Sequence, residues 1–224
     1  MIKGILFDYD GTLSCRYESA YHMYRFLLKK ISNDTLNGLD LENKAQRCMM
    51  WDQFGTVNKK YVIRNIRDSW FPDIDVDYWT DFWYANFDQF QLPMPGSKEV
   101  LNELKKKYRL GVLSNGDSRS QHAKITFLGL DDMFDAEIVS GDYGIQKPDV
   151  RIFQKAAEIM NLKCSEIAMV GDTYFTDIIG AIHAGMKPVW YCYEKRCATD
   201  TDITMATDFN EIRKLFLEQG SDIQ

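Results

Sequence analysis

At 224 residues and 45% hydrophobic composition the chain can bury a proper core, and one domain with a sizeable insertion is the natural expectation. Charged residues make up 27% and the formal net charge is −6, which argues against binding nucleic acid over a broad surface. No apolar stretch approaches the length of a membrane span, so no membrane partner is expected, and an anionic ligand would need local positive charge from a lysine, a helix N-terminus or a metal.

The first element is the run Ile5-Leu6-Phe7, a core-like strand that ends on Asp8, with Asp10, Gly11 and Thr12 directly after it. Mutual repulsion makes two aspartates one residue apart costly unless a cation, a proton or a chemical task holds them. Because this end of the chain reads as a strand, and not as a basic segment followed by an apolar one, no signal peptide is expected. From Cys15 to Leu92 only helix-period patterns occur. Trp79, Phe82, Trp83, Asn86, Phe87 and Phe90 fall on one helical face, and Val62, Ile66 and Trp70 repeat at i+4 on the helix before. This stretch holds sixteen of the thirty aromatic residues; they could stack on a planar ligand such as a nucleobase, but helical spacing favours packing.

Pro93-Met94-Pro95-Gly96 breaks the helices, and the pattern changes to alternation. A helix over Lys98–Tyr108 precedes the strand Leu110–Leu113, and another helix leads to the strand Glu137–Val139. Pro148 is expected to open a helix carrying Ile152, Phe153, Ala156 and Ile159. The strand Ile167–Val170, a helix, the strand Pro188–Tyr191 and an amphipathic helix with Ile212, Leu215 and Phe216 complete the pattern. Such alternation predicts an α/β fold, a Rossmann-like doubly wound parallel sheet built from residues 1–14 and 93–224, with residues 15–92 as a helical insertion. Five cysteines (Cys15, Cys48, Cys164, Cys192 and Cys197) are odd in number, scattered and free of C-x-x-C spacing. That pattern suits free thiols in a reducing, cytoplasmic compartment.

Four strand ends carry polar groups of the kind that bind anions and metals: Asp8 and Asp10; Ser114, Asn115 and Gly116; Lys147; and Asp172 with Asp177 five residues on. In an open α/β sheet ligands bind at the carboxyl ends of the strands. A calcium-type loop around Asp8 would need a third ligand before the glycine and a flanking helix, and neither is present. Taken singly, "SNG" reads as a common turn and Lys147 as a solvated loop lysine.

In their order, "DYDGT", "LSNG", "KPD" and "GDTYFTD" resemble the four motifs of the haloacid dehalogenase-like hydrolase superfamily. A helical insertion directly after the first motif is similar to its C1-capped phosphatase subgroup. The resemblance implies a Rossmann-like core, a mobile helical cap over 15–92, dependence on Mg²⁺ and an aspartyl-phosphate intermediate. It makes Asp8 the nucleophile and Asp10 the general acid/base. Gly11 would let the chain turn tightly beneath the phosphate, and Thr12 is expected to orient Asp10 by a hydrogen bond and to count among the phosphate-binding residues. The Ser114 hydroxyl, with the backbone N–H groups around Asn115 and Gly116, would hold a phosphoryl oxygen, and Lys147 would set a fixed positive charge against it. Asp8, the Asp10 carbonyl and Asp172 would hold Mg²⁺. Asp177 would orient Lys147 or a metal-bound water, or else serve as an acid at a helix N-terminus. Arg16 reads as a substrate contact or as an exposed arginine at the start of the insertion.

A dehalogenase has no need of the second acid, because halide leaves without a proton, so Asp10 points to phosphate-ester chemistry. The expectation is a Mg²⁺-dependent phosphatase for a small-molecule phosphate monoester, such as a nucleotide or sugar phosphate. A phosphomutase and a non-catalytic phosphate-ligand-binding protein stay open beside it, as does the oligomeric state.

Overall fold

Each residue of the first strand, β1 (Gly4–Phe7), is buried, as an unbroken apolar run requires of a strand covered on both faces. The structure, a computed structural model, describes residues 1–193 and 202–218. Five further strands join β1 in a parallel sheet: β2 (Arg109–Ser114), β3 (Ala136–Val139), β4 (Ile167–Gly171), β5 (Lys187–Tyr191) and β6 (Thr204–Ala206). Their order is β3-β2-β1-β4-β5-β6, and Leu6 lies opposite both Gly111 and Met169. The chain builds outward from β1 through β2 to β3, then crosses over to β4 and builds the other way. Reversal at β1 and β4 opens a crevice at their carboxyl ends, where such sheets bind ligands.

Residues 15–92 form one compact unit, and residues 1–14 with those from 93 onward form another. The 15–92 unit contains α1 (Arg16–Ile31), α2 (Gly38–Asp52), α3 (Lys59–Ser69), α4 (Val76–Asn86) and a 3-10 turn over Phe87–Phe90. Its core joins Met23, Tyr24, Leu27, Leu41, Val62, Ile66, Trp83 and Phe87, with Trp79, Phe82 and Phe90 packed partly buried against them. The aromatic stripe therefore serves chiefly as packing. Arg16 is not an exposed arginine: it is half-buried, its guanidinium 5.0 Å from the centre of the Phe87 ring. The same unit buries an ion pair, Asp52 with Lys59, and the Tyr24 hydroxyl donates to Asp52 Oδ1 at 2.7 Å. Asp52 Oδ2 has no hydrogen-bond partner, so the carboxylate depends on those two contacts. Tyr24→Phe is expected to cost about 1–3 kcal/mol of stability in denaturant unfolding. An unchanged midpoint would show that the hydroxyl contributes nothing.

In the sheet-bearing unit the helices are α5 (Ser97–Leu104), α6 (Ser118–Phe127), α7 (Ser140–Tyr143), α8 (Val150–Ile159), α9 (Gly180–Ala184) and α10 (Phe209–Arg213). A π-helical turn, Tyr174–Ile179, leads into α9, and a second one, Lys214–Glu218, follows α10. Ile152, Phe153 and Ala156 of α8 share one cluster with Leu6, Leu113, Ile138 and Met169 of the sheet.

Several sequence expectations are corrected. The helix expected over Lys98–Tyr108 ends at Leu104, and a turn over Lys105–Lys107 brings the chain to β2 at Arg109; buried Tyr108 donates its hydroxyl to the Phe216 carbonyl at 2.7 Å. Pro148 does not open α8. Asp149 caps it, accepting from the Arg151 N–H at 2.9 Å, and Pro148 lies in the preceding turn after a cis peptide bond. Ile159 is exposed. Both α7, a single turn, and β6, three residues at the sheet edge, are too short to leave a periodic signal. Cys15, Cys48 and Cys164 are free, but Cys192 is disulfide-bonded, against the expectation of free thiols. Pairing depends on how close side chains come in space, which sequence spacing does not report. Cys197 lies outside the described residues. Among the described residues no helix is long and apolar enough to cross a membrane.

Candidate active site

Asp8 follows β1 at the reversal point, and its N–H extends the β1–β4 ladder by one bond, to the Val170 carbonyl at 2.9 Å. Its side chain is buried, and its Oδ1 accepts from Lys147 Nζ at 2.5 Å. Lys147 is buried too, and its ammonium also reaches Asp177 Oδ1 at 2.8 Å and the Leu113 carbonyl at 2.8 Å. Three N–H donors thus meet three acceptors, which is all a lysine can do.

The loop residue that fixes Lys147 is Asn115. Its Oδ1 accepts from the Lys147 backbone N–H at 2.8 Å, and its Nδ2 donates to the Lys147 carbonyl at 3.0 Å. Both ends of the Asn115 side chain are occupied in framing Lys147, not in facing a ligand. Ser114 is the buried last residue of β2, and the Gly116 N–H bonds Ser140 Oγ at 2.9 Å.

Asp172 stands just past β4 and Asp177 on the π-helical turn, where Asp177 Oδ2 accepts from the Thr173 N–H at 3.0 Å. One carboxylate oxygen each from Asp8, Asp172 and Asp177 lie within 4.8 Å of one another. Gly11 permits this closeness. Its φ is +99°, in the region that favours glycine, and a Cβ there would sit 2.3 Å from Asp172 Oδ2.

Three carboxylates against one ammonium leave an excess of negative charge in a place with little water. Burial, with the neighbouring Asp177, pushes the Asp172 carboxyl up to about 7. Burial likewise raises Asp8 well above the ordinary carboxylate range, against the pull of Lys147 and helped by Asp177 and Asp172. For Lys147 burial alone would lower the ammonium, but Asp177 and Asp8 reverse that and raise it. A site made only of oxygen donors, with surplus negative charge, fits a hard divalent cation such as Mg²⁺ or Ca²⁺.

Asp10 is the exception to the cluster. Its carboxylate is held by Gln121 Nε2 at 3.0 Å and by Lys124 Nζ at 3.0 and 3.3 Å. The expected hydrogen bond from Thr12 to Asp10 is absent: Thr12 is fully buried, and its hydroxyl has no hydrogen-bond partner. Sequence reading passed over Gln121 and Lys124. The available signal was that they stand at i and i+3, in line with buried Ile125 and Leu128 on the same helix face.

The family described as haloacid dehalogenase-like hydrolase matches residues 2–185. Glyceraldehyde 3-phosphate phosphatase of Pyrococcus abyssi is 39% identical over 207 residues, covering 87% of this chain and 83% of that relative. For the enzyme of the same name from Pyrococcus furiosus, identity is 38% over 136 residues, and the aligned stretch spans only 57% of its length and 58% of this chain. Pyrimidine 5'-nucleotidase YjjG of Escherichia coli is 37% identical over 192 residues, 83% of this chain and 84% of that one. Among solved structures, the HAD-hydrolase YfnB of Bacillus subtilis, bound to magnesium, superposes with a TM-score of 0.75 at 20% identity. That match covers 96% of this chain and 99% of the other, and it speaks to the fold alone. With the match running from β1 to the end of α9 and the acidic crevice at the reversal of the sheet, this chain belongs to the haloacid dehalogenase-like hydrolases.

Proposed function

We propose that the chain is a Mg²⁺-dependent phosphatase acting on a small-molecule phosphate monoester. One observation carries the reading: buried Asp8, bonded to Lys147 at the β1/β4 crevice, is followed two residues later by a second carboxylate, Asp10. Asp8 attacks phosphorus, the ester P–O bond breaks, and Asp10 gives the leaving oxygen its proton. Water, giving its proton back to Asp10, then cleaves the aspartyl phosphate, releasing inorganic phosphate and restoring Asp8. Lys147, held by Asn115 and Asp177, is the fixed positive charge for the phosphoryl oxygens, with the Ser114 hydroxyl as a further contact; the Gly116 N–H is taken by Ser140 Oγ. Asp8, Asp172 and the Asp10 carbonyl are the proposed ligands of Mg²⁺, which would neutralise charge on those same oxygens when bound.

The curated relatives named above are phosphatases of a triose phosphate and of pyrimidine nucleotides, which supports a small ester as substrate. The 15–92 unit is proposed as the cap that selects the ester; its aromatics pack in its own core and assign no nucleobase. Free Cys15, Cys48 and Cys164 support a cytoplasmic setting, and the bonded Cys192 is the observation against it.

The test is phosphate release from p-nitrophenyl phosphate and from a panel of small esters, before and after exhaustive chelation. Activity is expected to vanish with chelation and return with Mg²⁺. Ca²⁺ should restore little, because it accepts looser, higher-coordinate geometry and lets a carboxylate bind through both oxygens. Full turnover by the chelated protein would sink the metal requirement, and inactivity on every ester with Mg²⁺ would sink the phosphatase.

A further inference from the structure

Lys124 is a buried cation on α6 that the chemistry above does not use. Its side chain is 6% exposed, and its ammonium forms an ion pair with Asp10. Burying a lysine is costly unless it is paired, so its position reflects what it holds. Two contacts from Tyr9, the residue between the two aspartates, fix Lys124 in turn. The Tyr9 hydroxyl donates to the Lys124 carbonyl at 3.0 Å, and the ammonium stands 5.9 Å from the centre of the Tyr9 ring.

Gln121, one turn earlier on the same face, closes the arrangement. Its Nε2 donates to Asp10 Oδ2 at 3.0 Å and to the Asn115 carbonyl at 3.1 Å. Asn115 is the residue whose side chain frames Lys147, so Asp10 is tied to the same loop that fixes the cation beside Asp8. Gly116 leaves room for this. Its φ is +150°, and a Cβ would fall 2.5 Å from Gln121 Nε2.

We propose that Lys124 and Gln121 are positioning residues for proton transfer: they hold the Asp10 side chain where, as the carboxyl group, it can protonate the leaving oxygen and then, as the carboxylate, take a proton from the attacking water. This rests on the phosphatase reading. Neither residue touches substrate on this account; both act through Asp10. A structural role alone would lower all activities together, whereas loss of positioning falls on the steps that need a proton moved.

Two esters separate these outcomes, an alkyl phosphate whose leaving oxygen needs a proton and p-nitrophenyl phosphate whose leaving group does not, both at saturating Mg²⁺. In Lys124→Met, and separately in Gln121→Met, kcat for the alkyl ester is expected to fall at least about tenfold while KM moves less than about threefold. The first turnover of the nitrophenyl ester should stay within about threefold of the wild type and then give way to a slower steady rate, as the acyl phosphate waits for its base. Lys124→Arg, which keeps a cation and paired donors, should recover most of the alkyl rate. In an Asp10→Asn background Lys124→Met should add no further loss, because the group it positions is already gone. If Lys124→Met does not fold, Gln121→Met decides alone. Equal loss in the first turnover of both esters, a further loss in the Asp10→Asn background, or undiminished alkyl turnover overturns the positioning role and leaves the phosphatase standing. A wild type inactive on both esters overturns both.

Discussion

Asp8→Asn is expected to lower phosphate release from any ester by about three orders of magnitude or more, with no phosphoenzyme trapped by acid quench. The amide matches the carboxylate in shape but cannot open the acyl-phosphate route. Stability should move the other way. Asp8 stands among carboxylates that raise its pKa, and Lys147 keeps Asp177 as a partner when Asp8 becomes neutral. In Mg²⁺-free buffer the melting temperature of Asp8→Asn is therefore expected to hold or rise, the signature of a group kept for chemistry at some cost to the fold. Residual turnover with trapped phosphoenzyme would show that another residue attacks.

The second large effect is expected from Lys147→Met. It removes the cation bonded to both Asp8 and Asp177 and leaves the Leu113 carbonyl without that donor. Breaking a buried pair by deleting one partner typically costs about 3–5 kcal/mol, because the remaining charge stays buried and uncompensated. Here two carboxylates would face each other. Denaturant unfolding should show the loss, part of it should return on adding Mg²⁺, and turnover should stay near background in either buffer. A variant as stable as the wild type would mean that the two aspartates do not depend on Lys147.

The parts of this site legible in the sequence are those tied to strand ends. An apolar run announces a buried parallel strand, and Asp8, Ser114 and Asp172 stand at or just past the ends of β1, β2 and β4. Lys147 was legible as a candidate but not its grip, since its partners Asp8, Asp177 and Leu113 come from three separate stretches of chain. Asn115 was expected to contribute its backbone N–H; the second task of its side-chain amide, bonded to the Lys147 backbone, is a matter of distance in space. Thr12 misled for the opposite reason, a polar residue in a functional motif whose side chain points into the interior. Gln121 and Lys124 stayed hidden because a polar residue on a helix reads as solvated, and only a partner in space, here Asp10, lets it be buried.

The placement of β1 also bears on the order in which the molecule can assemble during synthesis. Gly4 is paired with Arg109 on one side and with Ile167 on the other, so β1 leaves the ribosome about a hundred residues before the nearer of its two neighbours exists. Meanwhile the 15–92 unit is continuous and has its hydrophobic partners once Leu92 has emerged. Pairings this distant are slow to form and leave an apolar strand uncovered while they are awaited. Ile5, Leu6 and Phe7, fully buried in the finished protein, are thus the residues most exposed to misassembly before it is finished.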